Sequence, residues 1–310
     1  MPRGNAKLRI SIGVTSFNEE QNIERLIHSL LFQKLKSSSI SEILVVSSGS
    51  TDQTNSIIKK IHKKNPKVKL ITQKKRLGKA SAVNLFLTSA KEDVVILSSA
   101  DLLIPSDTIE KMIKPFKSKD IGIVGSRPIP VNDPKTFFGF ASHLIWDLHH
   151  HISLNSSKMG EFIAFRKIFK RIPVTSAVDE ASIEALIRGQ GYKAYYVSNA
   201  RVYNKGAENL REFIARRRRI YAGHLETKNK YSYKVSTISN SKILLALLKN
   251  FKFTRRFIIW TPLVIALEIL SRFLGLIDYK FYPKKHTVWK ITPSTKTLIN
   301  RQTLERKRYT

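Results

Sequence analysis

Cysteine is absent from this 310-residue chain, and its absence excludes several classes of protein. A disulfide scaffold, a thiolate nucleophile and a cysteine-ligated zinc site are all ruled out. The first residues, MPRGNAKLRISIGV, also lack the apolar run of a secretory signal peptide. We therefore expect the N-terminal part of the chain to fold in the cytoplasm, a reducing compartment that suits a cysteine-free protein.

Acidic residues are scarce relative to basic ones. The chain has 55 Lys and Arg against 23 Asp and Glu, which gives a net charge of +32. The larger share of this excess falls in residues 201–310. An excess of this size implies a polyanionic neighbour, which could be nucleic acid, a diphosphate ligand or an anionic lipid surface. Charge alone does not choose among the three.

The first 125 residues alternate between short apolar runs and amphipathic stretches. Strand character is found in LRISIGVTSF, EILVVSS, KVKLITQ, DVVILSSAD and IGIVGSRPIP, and helical periodicity lies between them. The alternation predicts an α/β fold with a mostly parallel sheet and helices on both faces, within a domain of residues 1–230. Ligands bind such sheets beyond the carboxyl ends of the strands. The loops predicted there are TSFNEE, SSGSTD, KKRLGK and SSADLL.

Residues 231–310 have a different composition. Amphipathic SKILLALLKNFKF precedes an apolar stretch from Phe257 to Ile277, which contains Pro262, Glu268 and Arg272. Glu268 and Arg272 stand four residues apart and can pair on one helical face. The stretch could span a membrane, lie in the plane of its surface or be a core helix. The in-plane arrangement is favoured by basic flanks on both sides, Arg255, Arg256, Lys280, Lys284 and Lys285. We expect C-terminal membrane-associated helices and a basic tail.

Seven motifs follow one another between residues 8 and 228. They are TSFNEEQNI, SSGSTDQT, RLGKASAVN, SSADLLIP, GEFIAFR, VDEASIEALI and RRRRIYAGHL. In this order and at this spacing they resemble the family-2 glycosyltransferases, which have the Rossmann-like GT-A fold and include cellulose, chitin and hyaluronan synthases. The resemblance implies an inverting enzyme that moves a sugar from a nucleotide-diphosphate-sugar to a lipid-linked or saccharide acceptor. The expected location is the cytoplasmic face of the cell membrane.

The resemblance also implies which residues contact the nucleotide. Glu19 would contact the ribose or the base, and Lys79, at a predicted helix start, would suit the diphosphate. Three positions have structural alternatives, because Asn18 and Asp52 could each cap the helix that follows, and Lys79 could have a purely structural role. The full predicted set is Phe17, Asn18, Glu19, Ser47, Ser48, Gly49, Asp52, Gly78, Lys79 and Arg216.

Serine replaces acids at two motif positions. Relatives usually begin the second motif with two aspartates, where this chain has Ser47 and Ser48. A hydroxyl can accept the same hydrogen bond from the base, but without a charge the contact is weaker. The family's D-x-D metal motif is reduced here to Ser99 and Asp101. The resemblance implies that Asp101 holds Mg²⁺ or Mn²⁺ with donor phosphate oxygens and water. His224 is a further candidate ligand.

The motif VDEASI supplies the candidate catalytic base. Direct displacement at a sugar carbon requires a carboxylate that takes the acceptor proton while the nucleoside diphosphate leaves. By position in the family's E-D pair, Glu180 would be the base. By residue type, since the family's base is usually aspartate, it would be Asp179, and we favour Asp179. Both could instead be ordinary acids at a helix N-terminus.

The motif RRRRIYAGHL resembles the Q-x-x-R-W motif of the synthases. Arg216 and Ile220 stand where the family has Gln and Trp, which argues against a polymer-stacking role. The resemblance implies that Arg219 is a catalytic residue that stabilises the departing diphosphate. For Arg217 and Arg218 the alternative of a basic helix that faces anionic lipid stays open.

Two other functions are compatible with parts of the sequence. A basic nucleic-acid-binding protein would also carry a large positive charge, but this does not explain the acids at strand ends and helix starts. A degenerate family member could bind nucleotide without transferring sugar, as Ser47 and Ser99 suggest. Retention of Asp101, the acidic pair and Arg219 argues against it. The predicted partners are therefore a nucleotide-sugar, a lipid-linked or saccharide acceptor and an anionic membrane surface, with no nucleic acid.

Overall fold

A seven-stranded sheet forms the centre of the molecule, which we describe from a computed structural model for residues 7–282, 286–288 and 291–298. Its strand order is β3-β2-β1-β4-β6-β5-β7, and β6 alone runs antiparallel to its neighbours. The predicted mostly parallel sheet is therefore confirmed. The strands are β1 (Leu8–Ser16), β2 (Ser38–Ser48), β3 (Val68–Gln73), β4 (Val94–Ser99), β5 (Ile121–Pro130), β6 (Phe162–Arg166) and β7 (Lys193–Asn204).

Helices cover both faces of this sheet, as the apolar strands require. Side chains alternate along a strand, so Ile10, Ile12 and Val14 of β1 point into one core. That core is closed by α1, α2 and α4, whereas α3 and α6 close the core on the opposite face. The described helices are α1 (Ile23–Leu31), α2 (Thr54–Lys64), α3 (Lys79–Ser89), α4 (Thr108–Ile113), α5 (Phe137–Asn155), α6 (Asp179–Gly189), α7 (Leu210–Tyr231), α8 (Asn240–Lys249) and α9 (Arg255–Phe281).

Strand pairing brings the predicted site loops together. Thr15 of β1 pairs with Ser99 of β4, and the next residue, Ser16, pairs with Ser47 of β2. The three strands therefore end side by side, and the loops that follow them share one edge of the sheet.

The C-terminal helices pack against the α/β unit along α7. Arg217 donates to Glu268 of α9 at 2.6 and 2.7 Å, and the next residue, Arg218, pairs with Asp278 further along α9. Helix α9 buries one face, marked by Phe257, Val264 and Gly275, while much of its opposite apolar face is exposed. By length and composition alone α9 could cross a membrane. The flanking Lys284 and Lys285 and the predicted tail beyond Leu298 lie outside the described residues.

Candidate active site

A cavity of about 1420 Å³ opens at the carboxyl edge of the sheet. Its wall includes the ends of β1, β2 and β4, the starts of α3 and α6, and parts of α5, α7 and α9. Sites for one small ligand usually measure about 300–1,000 Å³. This cavity is therefore large enough for two substrates side by side.

The first loop contributes Phe17 and Glu19 to the cavity wall. Arg76 stacks over the Phe17 ring at 4.2 Å, so an aromatic face and a guanidinium adjoin the site. Glu19 is buried and accepts a hydrogen bond from Asn22 at 2.9 Å. Burial and the neighbouring Asp101 carboxylate raise the pKa of Glu19 to about 7, although Lys296 opposes this shift.

Asn18 and Asp52 connect the first two loops behind the cavity wall. Asn18 has a φ of 51° and accepts from the Thr51 amide at 2.9 Å, and α1 begins only at Ile23. Its alternative role as a helix cap is therefore wrong, because the loop needs its side chain elsewhere. Asp52 accepts from the amides of Thr54 at the start of α2 and of Glu20. Asp52 therefore has the structural role that was its alternative, since it accepts a hydrogen bond at the start of α2.

The second loop approaches the third so closely that Gly49 is needed. Its φ is 74°, and a Cβ there would lie 2.8 Å from the Arg76 amide nitrogen. Ser47 is buried and donates to Ser50 at 2.8 Å, whereas Ser48 lines the cavity. Contact of Asn18, Ser47, Gly49 and Asp52 with a nucleotide stays a prediction, and their side chains are not on the cavity wall.

Lys79 begins α3, as predicted, and is engaged there with the acidic pair. Its ammonium is 3.0 Å from Asp179 Oδ1 and 3.0 Å from Glu180 Oε1, so it neutralises the acidic pair. Burial lowers the pKa of Lys79, but the two carboxylates outweigh burial and raise it. Gly78, just before it, lies under the Thr287 carbonyl oxygen, which would be 2.2 Å from a Cβ. Both Gly78 and Lys79 line the cavity.

The two acids at the start of α6 have different protonation behaviour. Burial and the Glu180 charge raise the pKa of Asp179 to about 6. Burial also acts to raise the pKa of Glu180, but Lys79 and a backbone hydrogen bond outweigh it, and the pKa is lowered. Among the described residues, Asp179 Oδ2 is buried and has no hydrogen-bond partner, whereas Oδ1 contacts Lys79. Asp179 therefore has one oxygen held by Lys79 and one whose hydrogen-bonding capacity is unused.

Four consecutive arginines of α7 all reach the cavity wall but differ in partner. Arg216 pairs with Glu161, and Arg219 donates to the Ala177 carbonyl at 2.6 Å, just before the acidic pair. Burial and the charge of Arg216 lower the pKa of Arg219 to about 10, so it stays cationic at neutral pH. Arg217 and Arg218 do not take up the alternative of facing lipid, because both pair with carboxylates of α9.

Asp101 is placed to hold a divalent ion together with a substrate. It lines the cavity, and in the described part of the chain no cation pairs with it. Its charge raises the pKa values of Glu19 and Glu161, a repulsion that a bound cation would relieve. No cluster of three or more His, Asp and Glu ligands is found among the described residues. The residues therefore fit an ion that takes most of its ligands from phosphate and water.

His224 does not fit as a second metal ligand. It is buried among Lys158, Arg217 and Arg272. Burial and these charges lower the pKa of the imidazole well below its usual value. The same positive surroundings oppose a divalent cation, so the electrostatics argue against this candidate.

Several residues of the site were not identified from the sequence. Lys296 donates to the Phe17 carbonyl at 2.6 Å and to Glu19 at 2.5 Å, across 277 residues of chain. Lys158 and Arg76 also line the cavity. For Lys296 no local pattern could have indicated the contact, since it depends on how the C-terminal residues return to the sheet edge.

Comparison with known proteins agrees with this architecture. The sequence model of glycosyl transferase family 2 matches residues 11–186. A dolichol-phosphate mannosyltransferase of Pyrococcus furiosus is 32% identical over 120 residues, which are 39% of this chain and 33% of that protein. A poly-beta-1,6-N-acetyl-D-glucosamine synthase of Staphylococcus aureus is 31% identical over 120 residues, 38% of this chain and 28% of that protein. The matches thus span about a third of these curated relatives.

Among solved structures, the mannosyltransferase PcManGT of Pyrobaculum calidifontis, in complex with GDP-Man and Mn²⁺, superposes with a TM-score of 0.63. It is 19% identical, and the superposition covers 89% of this chain and 88% of that chain. The predicted GT-A fold is confirmed by this likeness. With the family match over more than half of its length, the chain belongs to glycosyl transferase family 2.

Proposed function

We propose that this protein transfers a sugar from a nucleotide-diphosphate-sugar to an acceptor hydroxyl, with inversion at the sugar carbon. One observation carries the proposal. Lys79, the Asp179–Glu180 pair and Arg219 come from separate segments and meet on the wall of a cavity that also contains Asp101. The arrangement combines a base, a cation for a leaving group and a metal ligand within one space.

Asp179 is the proposed general base. A base works best when its pKa lies near the working pH, and the pKa of Asp179 is about 6. Lys79 holds its Oδ1 side, so Oδ2 would accept the proton of the acceptor hydroxyl. The hydroxyl oxygen then forms the new bond to the sugar as the bond to the diphosphate breaks.

The departing diphosphate would be stabilised by Arg219, which stays protonated inside the cavity. Asp101 would hold Mg²⁺ or Mn²⁺, which supplies charge neutralisation to the diphosphate. The relative PcManGT was solved with GDP-Man and Mn²⁺, which supports the same class of donor and ion here. Phe17, Glu19 and Ser48 would adjoin the nucleoside.

We also propose a lipid-linked acceptor that enters from a membrane surface. Leu244, Ile265 and Ile269 line the cavity and are also 58%, 39% and 62% exposed, so the cavity opens onto an apolar surface. Exposed apolar side chains of α8 and α9 continue this surface, with Lys249, Lys252, Arg255 and Arg256 beside them. A basic, apolar surface of this kind suits the anionic cytoplasmic face of a membrane.

Helix α9 is proposed to lie in the plane of that membrane. Its ion pairs to Arg217 and Arg218 fix it along the catalytic unit. A spanning arrangement would break both pairs and place Glu268 in hydrocarbon, which is costly.

The test is release of nucleoside diphosphate from a panel of nucleotide-sugars, with the protein in its native membranes and Mn²⁺ or Mg²⁺. We expect turnover with one donor, reduced about 100-fold or more in Asp101→Ala. Asp93→Asn, an exposed acid at the opposite end of β4, is the matched control and should keep full activity. Nucleotide binding without release from any donor would favour a degenerate binding protein. Salt-sensitive RNA retention without release would favour a nucleic-acid-binding protein.

A further inference from the structure

Lys158 is a cation of the cavity wall that forms no ion pair with any described residue. It lies in the loop that leads into β6 and lines the cavity. Within residues 7–282, 286–288 and 291–298, its ammonium forms no hydrogen bond and no ion pair. The neighbouring cations Lys79, Arg216 and Arg217 all have carboxylate partners. Burial and repulsion from Arg217 lower the pKa of Lys158 to about 8, so it is mostly charged at neutral pH.

Glu184 is the carboxylate that attracts Lys158 most strongly, and it already has other partners. Glu184 accepts from Arg188 at 3.0 Å and from the Met159 amide at 3.3 Å. Its position is therefore fixed by groups other than Lys158. Glu180, which also attracts Lys158, is held by Lys79.

Two buried imidazoles adjoin the Lys158 charge. His149 of α5 and His224 of α7 both line the cavity, and Lys158 acts on each of them electrostatically. Among the described residues, Nε2 of His224 is buried without a hydrogen-bond partner, and so is at least one ring nitrogen of the buried His149, which adjoins the Met159 backbone. Buried polar groups are normally paired, and an unpaired group costs free energy. The wall thus combines an unpaired cation with neutral polar groups that have unused hydrogen-bonding capacity.

We propose that Lys158, flanked by His149 and His224, forms a subsite for a phosphate group carried by the acceptor. The proposal rests on the function proposed above and specifies the acceptor as anionic. A phosphate would supply the missing counter-ion and accept charge-assisted hydrogen bonds. The position favours the acceptor over the donor, because His149 shares α5 with the apolar cavity residues Leu148 and Ile152. An acceptor with an apolar chain would therefore present its phosphate here.

The test compares two probes that differ only in the phosphate, farnesyl phosphate and farnesol. Binding to the full-length protein in nanodiscs is measured for wild type, Lys158→Gln, Lys158→Arg and the exposed control Lys59→Gln. Wild type and Lys59→Gln should bind farnesyl phosphate at least about tenfold more tightly than farnesol, a difference of about 1.4 kcal/mol. Lys158→Gln should reduce this preference to less than about threefold, and Lys158→Arg should restore it.

Equal preference in wild type and Lys158→Gln would overturn the subsite. A competition experiment with inorganic phosphate distinguishes a subsite for a lipid phosphate from a subsite for free phosphate. If inorganic phosphate displaces farnesyl phosphate, free phosphate is enough to occupy the subsite. If it does not, the phosphate must be attached to an apolar lipid chain in order to bind. Nucleoside diphosphate affinity, measured in the same samples, should be unchanged by Lys158→Gln. If the protein transfers sugar but Lys158→Gln leaves the preference for farnesyl phosphate unchanged, this inference alone is refuted. If Lys158→Gln lowers the preference as expected but no donor is turned over, the transferase proposal alone is refuted.

Discussion

Replacement of Lys79 by methionine should expose how strongly the acidic pair depends on it. Methionine keeps most of the apolar length of the side chain but removes an ammonium that lies 3.0 Å from each carboxylate. Breaking a buried ion pair by removing one partner costs about 3–5 kcal/mol, because the remaining charge is uncompensated. Here two like charges remain, so we expect the free energy of unfolding to fall by about 3 kcal/mol or more at pH 8.

The loss should depend on pH in a defined direction. Without Lys79, burial and the Glu180 charge raise the folded-state pKa of Asp179 further above its unfolded value of about 4. The pKa of Glu180 also rises, because the attraction to Lys79 that lowers it is lost. A carboxyl group with a raised folded-state pKa destabilises the fold at pH values above that pKa. The deficit of Lys79→Met should therefore shrink as the pH falls from 8 towards 5.

Urea unfolding of the detergent-solubilised protein, followed by tryptophan fluorescence, measures this loss. The control is Lys59→Met on the exposed face of α2, which should change stability by less than about 0.5 kcal/mol. A deficit below about 1 kcal/mol, or one that is the same at pH 5 and pH 8, would refute the proposed electrostatic dependence.

Three further outcomes are expected. The value of kcat/KM should fall about tenfold per pH unit below pH 6, because Asp179 becomes protonated. In Lys79→Met this acidic fall should begin at a higher pH. A pH-rate profile in which the fall begins at the same pH in both proteins would contradict this. In urea unfolding, Gly49→Ala should lower the free energy of unfolding by about 2 kcal/mol more than Gly191→Ala does. Both glycines have a positive φ, but of the two only Gly49 would bring a Cβ against neighbouring backbone. Equal losses of stability would show that the loops can move apart. Arg217→Met should destabilise by about 3 kcal/mol, and adding Glu268→Met should recover part of that loss; simple additivity would show that the two charges do not interact.

The sheet and the main site loops were predictable because their signals are local. Apolar runs and helical periodicity identified β1 to β5 and the helices between them, and parallel pairing then required the loops to share one edge. The antiparallel β6 was not identified, because GEFIAFR is short and its pairing with β4 and β5 depends on packing.

Contacts between distant segments could not be predicted in this way. Lys79 follows a glycine at a helix start, which suited a phosphate ligand, but the fold brings Asp179 and Glu180 to it. The basic run on α7 suggested a lipid-facing surface, whereas α9 supplies carboxylates for Arg217 and Arg218. Such pairings are determined by tertiary packing, and no periodicity in the sequence records them.

The most direct test of the central claim compares wild type and Asp179→Asn with a donor whose sugar has the α configuration. The anomeric configuration of the product is read by NMR, and nucleoside diphosphate affinity is measured alongside. We expect a β-linked product, and a kcat about 1,000-fold lower in the variant with nucleotide affinity unchanged within about twofold. A retained α configuration, or full activity in Asp179→Asn, would contradict this expectation.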